Sequence, residues 1–494
     1  MTPGRYWAWG AAILAAALGL RIACHVGVRT YEPIFTAHSA HEIVSGKYVP
    51  QKHVPGAVNN ARLGMLLPTA LAVGVAGLGD VSCTLWPMAC GLLVVAGVLA
   101  FAPKVVRPEA ALIAAALLAA IPVDVLYAGQ LYSDLPMAVC WMLSAGLFWK
   151  ALESGCRWAA AGSGLLVGLA WMMREPGVLF LAVLGAWTVG TGRWRSWLWA
   201  CAGAGAVFAV ECFGYAVTTG DPFFRLGIAT SGVHARYMEK DYYQTAGAVA
   251  RRVFLDLPSM MANPWDAQFR CTAGLPVAAA LAGLARGREA WRDPVARRLV
   301  LWFGVVFLLF AAMPVSVAPW RPAMVLLART LIPFSVPMAL LLGWALAGRR
   351  WAVPAAAGLV AACLASLAWT APAHLEAKTE EREALEALRR EGATLILADD
   401  AIAAQGHRQN RITFLRGFDP KLSVYSLVDA DPEIEAARGA YVMLNSANLE
   451  RASYPPGRLK LLLEPPPSWR RIYYKEFARR GAEKPGFVGV WHVP

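Results

Sequence analysis

The sequence predicts a polytopic α-helical membrane protein of about eleven spans, with a small soluble α/β domain at its C-terminal end. Two observations predict the bundle and a third orients it. Hydrophobic residues make up 57% of the 494 and charged residues 16%, with a mean hydropathy of +0.46, a balance that soluble domains do not show. Apolar runs of about 15–22 residues recur, and roughly 20 residues of helix cross a bilayer core. Backbone polar groups in lipid need partners within their own segment, so these runs read as helices. Lysine and arginine collect in alternate short loops, which sets sidedness.

The spans fall at 6–24, 83–102, 109–127, 136–151, 158–173, 177–192, 197–217, 271–285, 299–317, 331–347 and 352–371. With the N-terminus in the cytoplasm, the inner segments hold Arg5, Lys104, Arg107, Lys150, Arg157, Arg193 and Arg195. Further along they hold Arg286, Arg288, Arg292, Arg297, Arg298, Arg349 and Arg350. The stretch 63–79 is also apolar enough to cross. If it crossed, every later basic loop would face outward, so it reads as a surface or re-entrant helix. The first segment has Arg5 ahead of an apolar run, as a signal peptide does, and residues 21–24 (RIAC) resemble a lipoprotein cleavage site. Arg21 does not suit that site, so the segment reads as retained. The expected location is the plasma (inner) membrane, multi-pass.

This topology puts residues 25–82, 218–270 and 372–494 outside, and divides the chain into a membrane domain, 1–372, and an extracytoplasmic α/β domain, 373–494. Charge density rises at HLEAKTEEREALEALRREG (374–392), which reads as an amphipathic helix, and apolar runs at 393–398 and 440–444 read as strands. Asp399-Asp400 after the first strand fits a metal site or a solvated turn, and the turn is the cheaper explanation. The nine cysteines lie in or beside spans and none lies in the soluble domain, which argues against a disulfide framework. A net charge of +13 suits anionic lipid rather than nucleic acid. No phosphate-binding loop of the P-loop type is present.

Two acidic loops carry the chemistry. In TYEPIFTAHSAHEIVSGKY (30–48), Ala37, Ala40, Ile43 and Val44 follow Glu32 at near-helical spacing, predicting a short helix lying in the interface with Glu32 at its start. The helix dipole there favours the ionised carboxylate, which could serve as a general base. His38, His41 and Glu42 have metal-ligand spacing, although a wet helix face accounts for them. The second loop, LYAGQLYSDLPMA (126–138), carries Asp134. Carboxylates at the mouth of an apolar bundle are costly and usually functional.

These loops resemble those of GT-C-type membrane glycosyltransferases, in particular family 39-like enzymes that include aminoarabinose and protein mannosyl transferases. In that pattern an Asp-Glu pair stands eight and seven positions before an Ala. Counting back from Ala40 gives Glu32 and Pro33, so the second acid is replaced. His53-Val54-Pro55 and Asn60-x-Arg62-x-Gly64 are similar to the His-Pro and Arg-x-Gly elements that follow. Residues 126–136 resemble the second acidic loop, Gly168-Leu169-Ala170 with Arg174-Glu175 the end of the fifth span, and Thr219-Gly220-Asp221-Pro222-Phe223 the start of the large outer loop.

The resemblance implies a sugar on a polyprenyl-phosphate donor, transferred to a glycan, lipid or protein acceptor on the outer face. Glu32 would activate the acceptor. Asp134 would orient it or assist through a metal, and the need for a divalent cation is open. A lipid phosphate calls for fixed cations, and Arg offers a bidentate fork. The outer-side candidates are Arg62, Arg174, Arg321 and Arg329, with Arg174 equally able to pair with Glu175. His53, Tyr132, Tyr242 and Tyr243 are candidate acceptor or sugar contacts, and Tyr237 and Trp265 share that loop. Aromatic faces suit sugars and interfacial lipid alike. Two rival readings stand beside this one. A transporter or lipid flippase would place polar groups near the midplane and show repeats. A catalytically inactive scaffold is motivated by Pro33.

Overall fold

A computed structural model of the chain describes residues 1–29, 31–52, 57–189, 191–230, 247–263, 267–317, 320–322, 327–398, 411–419, 421–426, 439–446, 462–477 and 486–494. The membrane bundle is built from α1 (Pro3–Ala23), α2 (Tyr31–Val44), α3 (Leu63–Ala76), α4 (Asp80–Phe101), α5 (Pro108–Ala120), α6 (Pro122–Ala128), α7 (Asp134–Ser154) and α8 (Arg157–Met173). It continues with α9 (Phe180–Thr188), α10 (Trp194–Thr219), α11 (Leu275–Ala285), α12 (Pro294–Ala312), α13 (Ile332–Leu346) and α14 (Ala352–Arg390). Each expected span overlaps a helix, but those at 158–173, 177–192 and 271–285 fall on helices of 17, 9 and 11 residues, shorter than the roughly 20 that a single crossing needs. Among the described residues seven helices are long and apolar enough to cross alone, and α5 with α6 makes an eighth as a bent pair. The span expected to reach 317 stops at Ala312. Residues Pro314–Val317 instead form β1, paired antiparallel with β2 (Trp320–Pro322).

The expected helix at 63–79 does not cross. Fourteen residues rise only about 21 Å, against a hydrocarbon core of about 30 Å. Its start touches the last turn of α8, where a Cβ on Gly64 would meet Met172 and Met173 backbone at 3.0 Å. Its far end leads directly into α4, whose Asp80 accepts from the Val28 amide just beyond α1 at 2.8 Å. Both ends therefore lie at one end of the bundle, with the end of α1 and the starts of α4 and α7. The opposite end gathers basic residues. Arg286 donates to the Ala345 carbonyl at 3.1 Å, Arg107 meets Gly348, and the Arg193 guanidinium stands by Gly155.

The third span is broken because Pro122 lacks the N–H that would bond the Leu118 carbonyl. The axis bends by 55° between α5 and α6. Arg21 of α1, almost fully buried, covers the exposed helix end. It donates to the Ala17 and Ala119 carbonyls at 3.1 and 3.4 Å, and its other nitrogen is 3.5 Å from the Leu118 oxygen. Gly91 leaves room for it, since a Cβ there would lie 2.8 Å from Arg21 Nε. On α6, the buried Asp124 accepts from Ser335 Oγ at 2.9 Å, tying the bent segment to α13.

The boundary expected at 372/373 falls inside a single helix. Helix α14 runs 39 residues through Pro372, because the segment beyond is rich in Ala, Leu, Glu and Arg, strong helix formers. Its charged half packs on a five-stranded sheet of β3 (Leu395–Ala398), β4 (Ser423–Ser426), β5 (Tyr441–Asn445), β6 (Arg470–Phe477) and β7 (Gly486–His492), ordered β4-β3-β5-β7-β6. Strands β4, β3 and β5 are parallel, and β7 is antiparallel to both β5 and β6. Alternate residues serve two faces. Ile396, Met443 and Val490 pack with Leu385 and Leu388 of α14, whereas Leu397, Val442, Leu444 and Trp491 form a second core. Residues 393–398 and 440–444 were thus sound strand expectations, and Asp399-Asp400 lies outside the described residues.

The sheet domain docks on the bundle through helix Arg411–Leu415. The buried Arg411 grips both oxygens of Asp80, at 2.8 and 3.1 Å, and also donates to the Val28 carbonyl. Phe418 sets its ring against His38 and His41, with centroids at 4.7 and 5.8 Å. Removing one partner of such a pair strands the other, so Arg411→Ala and Asp80→Asn should each cost about 3–5 kcal/mol, and the double variant less than the sum. Limited proteolysis of the detergent-solubilised protein should then cut the C-terminal domain faster in both variants. Unchanged resistance in both would assign docking to the apolar contacts of Phe414 and Phe418 instead.

Candidate active site

Helix α2 begins where Glu32 is needed. Pro33 sits in the first turn, where backbone N–H groups have no acceptor within the helix and a proline costs nothing. Ile34, Phe35, Ala37 and Ala40 are fully buried. The helix is therefore not the wet interfacial one expected: it is wedged between α3 and Phe418 of the sheet domain. His38 faces Glu42 at 3.6 Å and Phe418 at its ring edge. Among the described residues no three His, Cys, Asp or Glu side chains converge as metal ligands.

Glu32 meets Arg329, 297 residues away. Arg329 lies in the turn Ala328–Leu331 before α13, which is held by the Leu327 amide donating to Thr330 Oγ1 at 3.2 Å and by Thr330 Oγ1 donating back to the Leu327 carbonyl at 2.6 Å. The guanidinium forks onto the carboxylate, with Nη2 donating to Oε1 at 2.9 Å and Nη1 to Oε2. The Tyr132 ring lies 4.4 Å from Arg329 Cζ, and Tyr127 packs on Tyr132 at 5.3 Å. Burial alone would raise the Glu32 pKa. Arg329, with Arg62 and Arg174 behind it, outweighs burial and lowers it to about 2. Free Glu32 is thus ionised and a weak base.

Behind this pair stand three more. Asp134, the first residue of α7 and fully buried, is met by Arg174. Arg62 donates to both oxygens of Glu175, at 3.2 and 2.8 Å, and to Asn59 Oδ1 at 2.6 Å. Arg225 bridges Glu175 at 3.0 Å and Glu211 at 2.7 Å, and Trp171 Nε1 also donates to Glu211 at 2.6 Å. An Arg174–Glu175 pair, one of the expectations, does not form. Arg174 has extended backbone (φ −158°, ψ 141°) and Glu175 opens a 3₁₀ turn, which sends the two side chains to different partners.

The fold therefore brings together Glu32, Asp134, Arg329, Arg62, Arg174 and Tyr132. Gly129 makes this possible by letting the loop before Asp134 touch the chain after α1: its carbonyl accepts from Gly27 N at 2.7 Å, and a Cβ on it would lie 2.9 Å from His25 Cα. Arg321 stands in β2 opposite Ser316. His53, Tyr237, Tyr242, Tyr243 and Trp265 lie outside the described residues. Sequence reasoning missed Arg225, Glu211 and Tyr127. Glu211 was there to be found, as an acid in the middle of an apolar span. The same rule would have flagged Asp124.

Residues 66–214 match the family described as dolichyl-phosphate-mannose-protein mannosyltransferase. No curated protein matches the chain in sequence. Among solved structures, ArnT from Cupriavidus metallidurans, in the apo state and bound to undecaprenyl phosphate, superposes with a TM-score of 0.57 at 15% identity, covering 98% of both chains. The Archaeoglobus fulgidus oligosaccharyltransferase tethered to an acceptor peptide superposes with a TM-score of 0.51 at 12% identity, covering 97% of this chain and 74% of that one. The chain therefore shares its overall fold with these membrane proteins, and the match to the mannosyltransferase family lies inside its helical bundle.

Proposed function

We propose that this chain moves a sugar from a polyprenyl-phosphate carrier to an acceptor at the site end of the bundle, and that this end faces away from the cytoplasm. The observation that carries the reading is the Glu32–Arg329 pair, with Tyr132 against the guanidinium. Undecaprenyl phosphate bound to a protein of this fold is consistent with such a donor. The sidedness rests on the basic groups gathered at the other end.

The charges suggest an order of events. Arg329, Arg174, Arg62 and Arg225 are each matched by a carboxylate, so an incoming phosphate must take a cation from one. Glu32–Arg329 is the pair to open, because its acid is the most exposed of the four at 23%. When Arg329 turns to the donor phosphate, Glu32 loses the cation that made it a weak base. It then accepts the proton of the acceptor nucleophile as that atom attacks the anomeric carbon. The sugar–phosphate bond breaks on the opposite face with inversion, and Arg329 and Arg62 stabilise the departing phosphate. Asp134 acts by holding Arg174.

Glu32→Gln should lower turnover about 100- to 10,000-fold. Donor binding should stay the same or tighten, because the competing carboxylate is gone. Arg329→Gln should weaken donor binding, by about 1.5–3 kcal/mol for a lost charged hydrogen bond, and Lys should restore part. Glu32→Gln with normal transfer would end the reading.

The pH profile gives a second test. The free enzyme's depressed Glu32 pKa means kcat/KM should stay level as pH falls through the usual carboxylate range. In the donor complex the pKa rises, so protonation should cut kcat at a higher pH. Parallel acid limbs would show that Arg329 never leaves Glu32. For sidedness, a reporter active only outside the cytoplasm should be active when fused after Pro494 and silent at Arg350. The reverse pattern would place the site on the cytoplasmic face.

A further inference from the structure

A cavity of about 470 Å³ opens far from Glu32, within the size range of small-molecule sites, about 300–1,000 Å³. It lies between the second halves of α4 and α7. Met142, Val336 and Leu340 form its floor, and Trp187 and Trp302 stand in its walls. Lys104, Lys150 and Glu153 line its mouth, at the basic end of the bundle. From Asp134 to Lys150 is sixteen residues of α7, about 24 Å, so the mouth belongs to the other leaflet. From Met142 to Lys150 is eight residues, about 12 Å, close to the depth of one leaflet's hydrocarbon, about 15 Å.

We propose that this slot holds an acyl chain of an anionic phospholipid, with its headgroup phosphate between Lys104 and Lys150. The lining is mostly apolar side chain, and a dry void of this size would forfeit the dispersion contacts of its walls. Water gains little there, because most of the lining is apolar and offers it few partners. The mouth supplies the headgroup preference. Lys104, Lys150 and Glu153 are all exposed, and the Glu153 carboxylate accepts from Trp149 Nε1 at 2.7 Å. Arg298, 4.4 Å from the Trp149 ring, adds a third cation beside Glu153. Gly146 borders the slot, and a Cβ there would meet nothing within 4 Å, so the space beside it is open. The site is independent of the transferase reading.

Native mass spectrometry of the full-length protein in mild detergent tests this, offering palmitoyl-oleoyl phosphatidylglycerol or phosphatidylcholine. The wild type should retain one phosphatidylglycerol in preference to phosphatidylcholine by roughly tenfold to thirtyfold, the effect of two lysines near an anionic group. Lys104→Gln with Lys150→Gln should equalise the two lipids. Gly146→Leu, filling open space, should lose both while its melting temperature holds. Equal retention of both lipids by the wild type, no retained lipid, or wild-type retention by Gly146→Leu would overturn the proposal. Undecaprenyl phosphate retained over phosphatidylglycerol would also overturn it, giving the slot to the donor's carrier. If Gly146→Leu does not fold, the exposed lysine pair still decides.

Discussion

The cost of burying an ionised group governs one end of this molecule. A carboxylate or guanidinium taken out of water loses several kcal/mol of solvation, which only an opposite charge at hydrogen-bond distance recovers. Four arginines and four acids meet here in pairs, and no pair is local in sequence. Their exposure grades from Arg225 and Glu211, at 2% and 3%, to Arg329 and Glu32, at 11% and 23%. The deep pairs are too costly to separate and serve as scaffold. The shallow pair, the most exposed of the four, can exchange a partner at far lower cost. On the proposed mechanism, that is the pair that opens.

The same constraint shapes the backbone. A proline in a span leaves a carbonyl unpaired in lipid, and the chain answers with Arg21, itself tied down by the carbonyls it serves. The resulting bend redirects α6, so that the loop after it reaches the end of α1 and delivers Tyr132 and Asp134 to Arg329 and Arg174. A straight third span would carry that loop elsewhere. Gly91 and Gly129 mark the two contacts where the bent segment needs a neighbour closer than a side chain allows.

Much of this was legible in the sequence. Composition and span length gave the class of protein, the basic loops gave the common end of the bundle, and carboxylates at helix mouths singled out Glu32 and Asp134. The arginines were recognisable as candidates because phosphate chemistry needs that fork. Their pairing was not legible. Adjacency suggested Arg174 with Glu175, but side chains next to each other at a helix end diverge, and each found a partner more than thirty residues away. Likewise a jump in charge at residue 374 marked a change of environment, not a break in the helix: α14 leaves the bilayer and continues as the first element of the sheet domain. The interior acids Asp124 and Glu211 lay in apolar runs, where averaging over a span hides single charges.

The placement of Glu32 has a further dependence. A fourteen-residue helix standing alone in water is marginal, because nucleation costs more than so few hydrogen bonds return. Helix α2 persists because both of its faces are covered, by α3 on one side and by Phe418 on the other, through His38 and His41. Phe418 adopts a left-handed backbone (φ 56°), which a residue of its size holds only when packing enforces it. The strain is maintained by the Arg411–Asp80 anchor a few residues earlier, which also fixes the start of α4 and the end of α1. The sheet domain therefore supports the helix that carries the carboxylate. Its docking and the geometry of Glu32 are set by one network of contacts, which is a physical reason for a membrane-embedded site to carry a soluble domain.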